Sequence, residues 1–366
     1  MKILITGGAG FIGSHTADAL CMAGHQVRVL DCLLADVHGV AARRPAHLHP
    51  AVEFIQGDIC DPTSVSAALE GIEAIFHFAA RTGVGQSMDE AEAYRQTNVY
   101  GTALLLAQLQ QRASHRHESP LQRFVLASSR AIYGEGAYLT VDGTLINPGP
   151  RSPAHLAAGR YVAVDPTTGQ PLHPHPTPES LPPCPVSVYA ETKWQQEQLV
   201  QQAVQTWGLP AVILRYFNVY GSRQSLCNPY SGLVANLYEQ LRARQALLLY
   251  EQGTPGRDFV HVADIVQANQ LALNPRLPPA LCLNIGTGHC RTLSELATTL
   301  SEVAGVAASA QPTDYFRYGD IHTCYADIHQ AQQWLSYRPQ VDLQAGLREF
   351  VTWAECQPVQ SPIKSD

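Results

Sequence analysis

A chain of 366 residues with a formal net charge of −7 can bury a full core plus a second lobe, and its acidity argues against a surface built for nucleic acid. Its 9 cysteines are scattered without a Cys-x-x-Cys, so neither a zinc site nor a disulfide framework is expected. No apolar run reaches the ~18 residues of a membrane span and no leader with a basic head precedes the first strand, so the expectation is a cytosolic protein with no membrane partner.

Met1 to Thr6 is an apolar run of strand character, followed by Gly7-Gly-Ala-Gly10-Phe11-Ile12-Gly13 and a helical pattern through Ala17, Leu20 and Met22. In a strand, turn and helix of this kind Gly7 permits the tight turn and Gly10 lets the backbone approach a pyrophosphate. Gly13 lets helix and strand pack closely, with the helix N-terminus facing the phosphates. A second apolar strand, His25 to Leu30, ends on Asp31, eighteen residues past Gly13. A carboxylate there accepts from both ribose hydroxyls and repels a 2′-phosphate, which selects NAD over NADP.

Val52 to Ile59 reads as a third strand running into Asp58, which can also cap a helix from Pro62. Ala74 to Ala80 reads as a buried fourth strand whose small terminal residues leave room for a cofactor. Gly83 to Ser87 reads as a flexible loop, and a long helix from about Met88 to Arg112 carries Asn98, a polar residue that can equally face the core. Arg123 to Ser129 is the fifth strand. Glu135 to Pro185 is rich in Pro, Gly and His, with hairpin turns expected at Val141-Asp-Gly143 and Pro166-Thr-Thr-Gly169. His173 and His175 stand in a proline run without further spaced ligands, so no metal is expected.

Ser187-Val-Tyr189-Ala-Glu-Thr-Lys193 then places a tyrosine and a lysine on one helix face. A phenol titrates near pH ~10, so its use as a base near neutrality takes roughly 4 kcal/mol of electrostatic help. One ammonium at ~5 Å supplies about 3 kcal/mol at an effective dielectric of ~20, and an oxidised nicotinamide ring can supply the rest.

With Thr6-Gly-x-x-Gly-x-x-Gly13 and Tyr189-x3-Lys193 both present, nearly the whole chain resembles the extended short-chain dehydrogenase/reductase family, and within it the nucleotide-sugar epimerases. The resemblance implies an α/β fold: a Rossmann doubly wound parallel sheet over 1–221 with an insertion at 135–185. A smaller substrate lobe would occupy 222–366, with 257–274 returning to the main domain. It implies NAD as cofactor, bound by Gly7, Gly10, Phe11, Ile12, Gly13, Asp31, Asp58, Ile59, Phe78, Ala79, Ala80, Asn98, Tyr189, Lys193 and Tyr216. It makes Ser129, Tyr189 and Lys193 the catalytic set, places Ser87 beside the sugar, and implies a homodimer.

The later motifs extend the resemblance. Phe217-Asn218-Val-Tyr-Gly221, Arg257-Asp-Phe and Arg317-Tyr-Gly-Asp320 are similar to the family's substrate set, with Asn218, Arg257 and Arg317 for the diphosphate and Asp320 for the nucleoside ribose. A guanidinium suits phosphate because its planar fork donates two hydrogen bonds at once. After Ser129 the family's 4,6-dehydratases carry Asp-Glu as acid and base for eliminating water; here Arg130 and Ala131 stand instead, so dehydration is disfavoured. Arg130 is either a surface arginine or a contact for a carboxylate or phosphate of the substrate. The segment 135–185 is expected to wall the sugar site, since both its ends flank catalytic residues. The leading expectation is an NAD-dependent nucleotide-sugar 4-epimerase acting on a dTDP-L-rhamnose or UDP-hexose or hexuronate type substrate. The alternatives are an NAD-dependent nucleotide-sugar dehydrogenase or 4-ketoreductase and a non-catalytic nucleotide sensor, the latter opposed by the intact Ser129, Tyr189 and Lys193.

Overall fold

The computed structural model describes residues 1–39, 43–113, 120–226, 232–306, 310–317 and 319–358. Seven parallel strands form the central sheet: β1 (Lys2–Thr6), β2 (Gln26–Asp31), β3 (Glu53–Gln56), β4 (Ala74–His77), β5 (Arg123–Ser129), β6 (Ala211–Tyr216) and β7 (Leu281–Ile285). Their spatial order is β7-β6-β5-β4-β1-β2-β3. The strand order reverses at β1 and β4, whose carboxyl ends therefore flank the crevice in which an open α/β sheet binds its ligand.

Apolar runs such as Ile3-Leu4-Ile5 and Phe124-Val125-Leu126 are continuous because both sheet faces are covered. One face packs α1 (Phe11–Met22), Val262–Ala272 and His329–Leu335 through Ala17, Leu20, Ile265 and Leu335. The other packs Pro62–Ala68, α2 (Gly101–Ala113) and α3 (Val188–Trp207) through Val65, Leu105 and Val200. A third core, in the smaller lobe, joins α4 (Leu233–Arg242), α5 (Leu293–Ala304) and α6 (Leu343–Glu355) through Leu237, Leu296 and Phe350.

Four local expectations change. Gly83 to Ser87 is not a loop: Val84–Asp89 is helical, and the long helix is interrupted at Glu90 and passes through a π-helical turn, Arg95–Tyr100, before α2. The third strand stops at Gln56, and the cap of the helix from Pro62 is Asp61, whose carboxylate accepts from Thr63 and Ser64 N–H, while Asp58 accepts from Cys60 N–H at 2.8 Å. The return of the late chain to the main sheet runs past 274, because β7 and His329–Leu335 both pack there.

The fourth change concerns 135–185. Its two hairpins exist, with Gly143 and Gly169 at φ +83° and +73°, and Tyr138–Leu139 pairs with both Leu145–Ile146 and His173–Pro174. The segment has a small core of Tyr138, Ala163 and Leu172, and its Leu181 packs with Ile132, Ile321, Cys324 and Ala326. It therefore leans on the 321–326 stretch of the later chain.

Candidate active site

The turn after β1 is shaped by crowding. Gly7 sits at φ +69°, and a Cβ there would lie 2.7 Å from Ala79 N; a Cβ on Gly13 would lie 2.4 Å from Gly7 O. No side chain caps α1, so the first N–H groups of Phe11, Ile12 and Gly13 stay open at the positive end of the helix. Asp31, the last residue of β2, is buried; its Oδ2 accepts from Ala9 N–H at 3.0 Å and its Oδ1 from Leu33 N–H at 2.9 Å. Each oxygen keeps a further lone pair. A glycine cradle, an uncapped helix N-terminus and a carboxylate at the next strand end are what a dinucleotide's pyrophosphate and ribose require, so the residues fit NAD. Phe78, Ala79 and Ala80 follow β4 and are half-buried, with Ala79 N–H donating to Thr6 Oγ1 at 3.2 Å.

The chemical half of the site forms where β5 meets α3. Ser129 ends β5, and its Oγ accepts from Ala131 N–H at 3.1 Å. Ser187 caps α3 by accepting from Ala190 N–H, which starts the helix just before Tyr189. Tyr189 is edge-on to Tyr94 at 6.4 Å. Removal of its phenol from water pushes the pKa up, opposed by a hydrogen bond with Ser129 and by the charge of Arg130. Lys193, one turn along, is 3 % exposed and donates from Nζ to Ala127 O at 2.9 Å. Burial lowers its pKa to about 7, with Glu197 acting in the opposite direction. Arg130 thus brings a second positive charge near the phenol, while Lys193 Nζ is hydrogen-bonded to β5.

Ser129, Arg130, Tyr189 and Asn218 line one cavity of about 170 Å³ together with Val84, Phe217 and Phe259. Asn218 Oδ1 is buried there with no hydrogen-bond partner. A wider hollow of about 360 Å³ between Ala297 and Ala310 shares no lining residue with it. Among the described residues none of 135–185 lines the Tyr189 cavity.

Several expected contacts are committed elsewhere. Ser87 is fully buried and its hydroxyl donates to Val84 O at 2.7 Å, because the stretch is helical; Val84 reaches the cavity in its place. Tyr216 donates to Asn269 Oδ1 at 2.6 Å, and Asn269 Nδ2 donates to Thr16 Oγ1, so this phenol ties β6 to α1. Asn98 accepts from Arg81 N–H and donates to Arg81 O and Thr192 Oγ1, bracing the β4 loop against α3. Ile59 is buried against Gly101, and Asp58 is exposed. Arg257 donates to the carbonyls of Gly256, Ile321 and His322, and burial with the nearby Arg130 lowers its pKa to about 10. Arg317 and Asp320 are exposed, the former over the Tyr250 ring at 5.0 Å.

Behind the site lies a buried polar chain that residue spacing alone did not single out. Ser128 donates to Glu197, which pairs with Arg215 through Nε at 2.9 Å and Nη2 at 2.7 Å. Arg215 also donates to Tyr133 Oη at 2.7 Å, and Tyr133 to Asn284 Oδ1 at 2.7 Å. The available signal was Glu197 itself, four residues past Lys193 on the same helix face. Among the described residues no group of three or more His, Cys, Asp or Glu is placed to hold a metal, and no helix is long and apolar enough to cross a membrane.

A family profile described as GDP-mannose 4,6 dehydratase matches residues 4–153, and one described as NAD dependent epimerase/dehydratase family matches 164–286. The dTDP-L-rhamnose 4-epimerase of Burkholderia thailandensis is 36 % identical over 359 residues, covering 96 % of this chain and 94 % of its own. This chain belongs to the NAD-dependent epimerase/dehydratase family. Among solved members, the UDP-glucose 4-epimerase of Thermotoga maritima, with UDP-glucose, superposes with a TM-score of 0.77 at 28 % identity, covering 97 % of this chain and 99 % of that one. The UDP-glucuronic acid 4-epimerase of Bacillus cereus, in complex with UDP-glucuronic acid and NAD, gives 0.77 at 26 % identity, with coverages of 97 % and 99 %.

Proposed function

We propose that this family member is an NAD-dependent nucleotide-sugar 4-epimerase in which Tyr189 and Ser129 handle the proton of the sugar 4-hydroxyl. The observation that carries the reading is their meeting in one cavity, beside Arg130 and the unpartnered Asn218 Oδ1, at the carboxyl edge of a sheet whose first turn fits NAD. NAD, when bound by the Gly7 to Gly13 turn and Asp31, supplies the hydride acceptor and donor at the sugar carbon.

Ser129 holds the sugar oxygen while Tyr189 removes its proton, the 4-keto sugar turns to present its other face, and Tyr189 returns the proton. The phenol starts at a disadvantage, since burial raises its pKa. The charge of Arg130 opposes that rise, which gives it a place in the activation alongside Lys193. Asn218, Arg317 and Asp320 serve the nucleoside diphosphate, while Arg257 holds the 321–322 backbone beside them. Dehydration is disfavoured even though one matching profile carries that description, because Arg130 and Ala131 cannot act as an acid and base pair at neutral pH. The 36 % identity to a dTDP-L-rhamnose 4-epimerase makes dTDP-L-rhamnose the first candidate substrate, with UDP-hexoses and UDP-hexuronates next.

The test is incubation with dTDP-, UDP- and GDP-sugars, resolving C4 epimers and following absorbance of reduced nicotinamide. Epimer formation without net reduction, abolished in Tyr189→Phe while NAD remains bound, is expected. Net reduction of added NAD would make the protein a dehydrogenase, and substantial turnover by Tyr189→Phe would remove the assigned base.

A further inference from the structure

We propose that Arg151, in the segment 135–185, is a positioning residue that presets the nucleotide end of the substrate site, so that this segment governs nucleotide affinity and not sugar choice. The proposal rests on the reading above in which Arg317 and Asp320 serve the nucleoside diphosphate.

Arg151 spends all five of its N–H donors on partners drawn from three separate stretches of chain. Nε donates to Glu135 Oε1 at 2.7 Å, Nη1 to Tyr161 O at 3.0 Å and Glu251 Oε2 at 2.5 Å, and Nη2 to Glu251 Oε1 at 2.9 Å and Asp320 O at 2.7 Å. The three charged side chains are nearly closed to water, at 5 %, 2 % and 3 % exposure for Arg151, Glu135 and Glu251. Glu135 also accepts from His322 N–H at 2.8 Å, two residues past Asp320. The latch therefore reaches the 320–322 backbone twice, once through the guanidinium and once through the carboxylate.

The neighbouring contacts converge on the same stretch. Tyr161 donates to Asp314 Oδ1 at 3.0 Å, and Gln252 Nε2 donates to the same oxygen at 2.7 Å. Glu251 and Gln252 take left-handed backbone angles, φ 50° and 58°, and give their N–H groups to Tyr315 O and Thr313 O. Two successive non-glycine residues in this region persist only where surrounding contacts hold them, and the fixed Glu251 carboxylate is one of those contacts. Arg317 lies over Tyr250, the residue before Glu251. Arg151 thus ties Glu251, which follows the ring that Arg317 covers, to the backbone of Asp320. The Tyr189 cavity, by contrast, takes no lining from this segment among the described residues.

The test uses the full-length, NAD-containing protein and calorimetric titration with UDP and dTDP, with KM and kcat measured on the sugar nucleotide that the panel identifies. Arg151→Met alone strands two buried carboxylates and risks unfolding. The triple variant Arg151→Met, Glu135→Gln, Glu251→Gln removes the charges together, and Arg151→Lys keeps the charge but loses the fork. In the triple variant the Kd of the preferred nucleoside diphosphate and the KM are expected to rise together by tenfold or more, with kcat and bound NAD within about twofold of wild type. Arg151→Lys is expected to give a smaller rise in the same two quantities. A folded triple variant, or Arg151→Lys, with unchanged Kd overturns the proposal, as does a fall in kcat at unchanged Kd. Arg317→Ala, run alongside, separates the two layers: a Kd unmoved there removes the underlying nucleotide assignment, whereas a Kd raised there and unmoved in the triple variant overturns the latch alone.

Discussion

Lys193 offers a direct measure of what the site costs the fold. Its pKa falls from 10.5 to about 7 on burial. At about 1.4 kcal/mol per tenfold change in proton affinity, that is roughly 4–5 kcal/mol of destabilisation when the unfolded lysine is charged. The folded chain releases this proton near pH 7 while the unfolded chain keeps it to 10.5, so stability rises with pH through that window and the penalty is complete below it. Replacement by methionine, of similar length and apolar, removes the penalty but also the hydrogen bond to Ala127 O, worth about 1 kcal/mol or somewhat more. Lys193→Met is therefore expected to gain about 2–3 kcal/mol at pH 7 while losing turnover. By pH 9.5, only tenfold from the unfolded pKa, the wild-type penalty shrinks to about 1 kcal/mol and the advantage disappears. Urea unfolding of nucleotide-free wild type and variant at both pH values, with matching m-values, measures the two differences. A variant less stable than wild type by the same margin at pH 7 and 9.5 would refute the reasoning.

Asp31 is expected to give a strong preference for NAD, and Asp31→Asn to narrow the NAD/NADP ratio by about tenfold or more, as expected for losing a charged hydrogen-bond partner worth about 1.5–3 kcal/mol. Equal direct binding of NAD and NADP by the wild type would show that this carboxylate does not reach the ribose. A homodimer is expected through the helices of residues 84–113 and α3, where Met88 and Tyr100 are 61 % and 46 % exposed. Light scattering at micromolar concentration checks it; a monomeric wild type counts against the pairing, and Tyr100→Glu should split a dimer formed this way.

The features legible in the sequence are those set by neighbours along the chain. The Gly7 to Gly13 turn, Asp31 at a strand end, and Tyr189 with Lys193 on one helix face follow from local backbone geometry, which does not depend on what the element packs against. The fold class was legible through the resemblance that the Gly7 to Gly13 turn and the Tyr189-x3-Lys193 pair carry. Tertiary structure alone decided which partner each polar group finds. It joined Ser129 to Tyr189 across sixty residues, paired Glu197 with Arg215 behind them, and brought Arg130's charge near the same phenol. It also closed Ser87 into its own helix, spent Arg257 on three carbonyls, and brought 135–185 against Asp320. A buried donor or acceptor must be paired, but the pairing is chosen by whichever distant segment packs beside it, and residue order does not encode that choice locally.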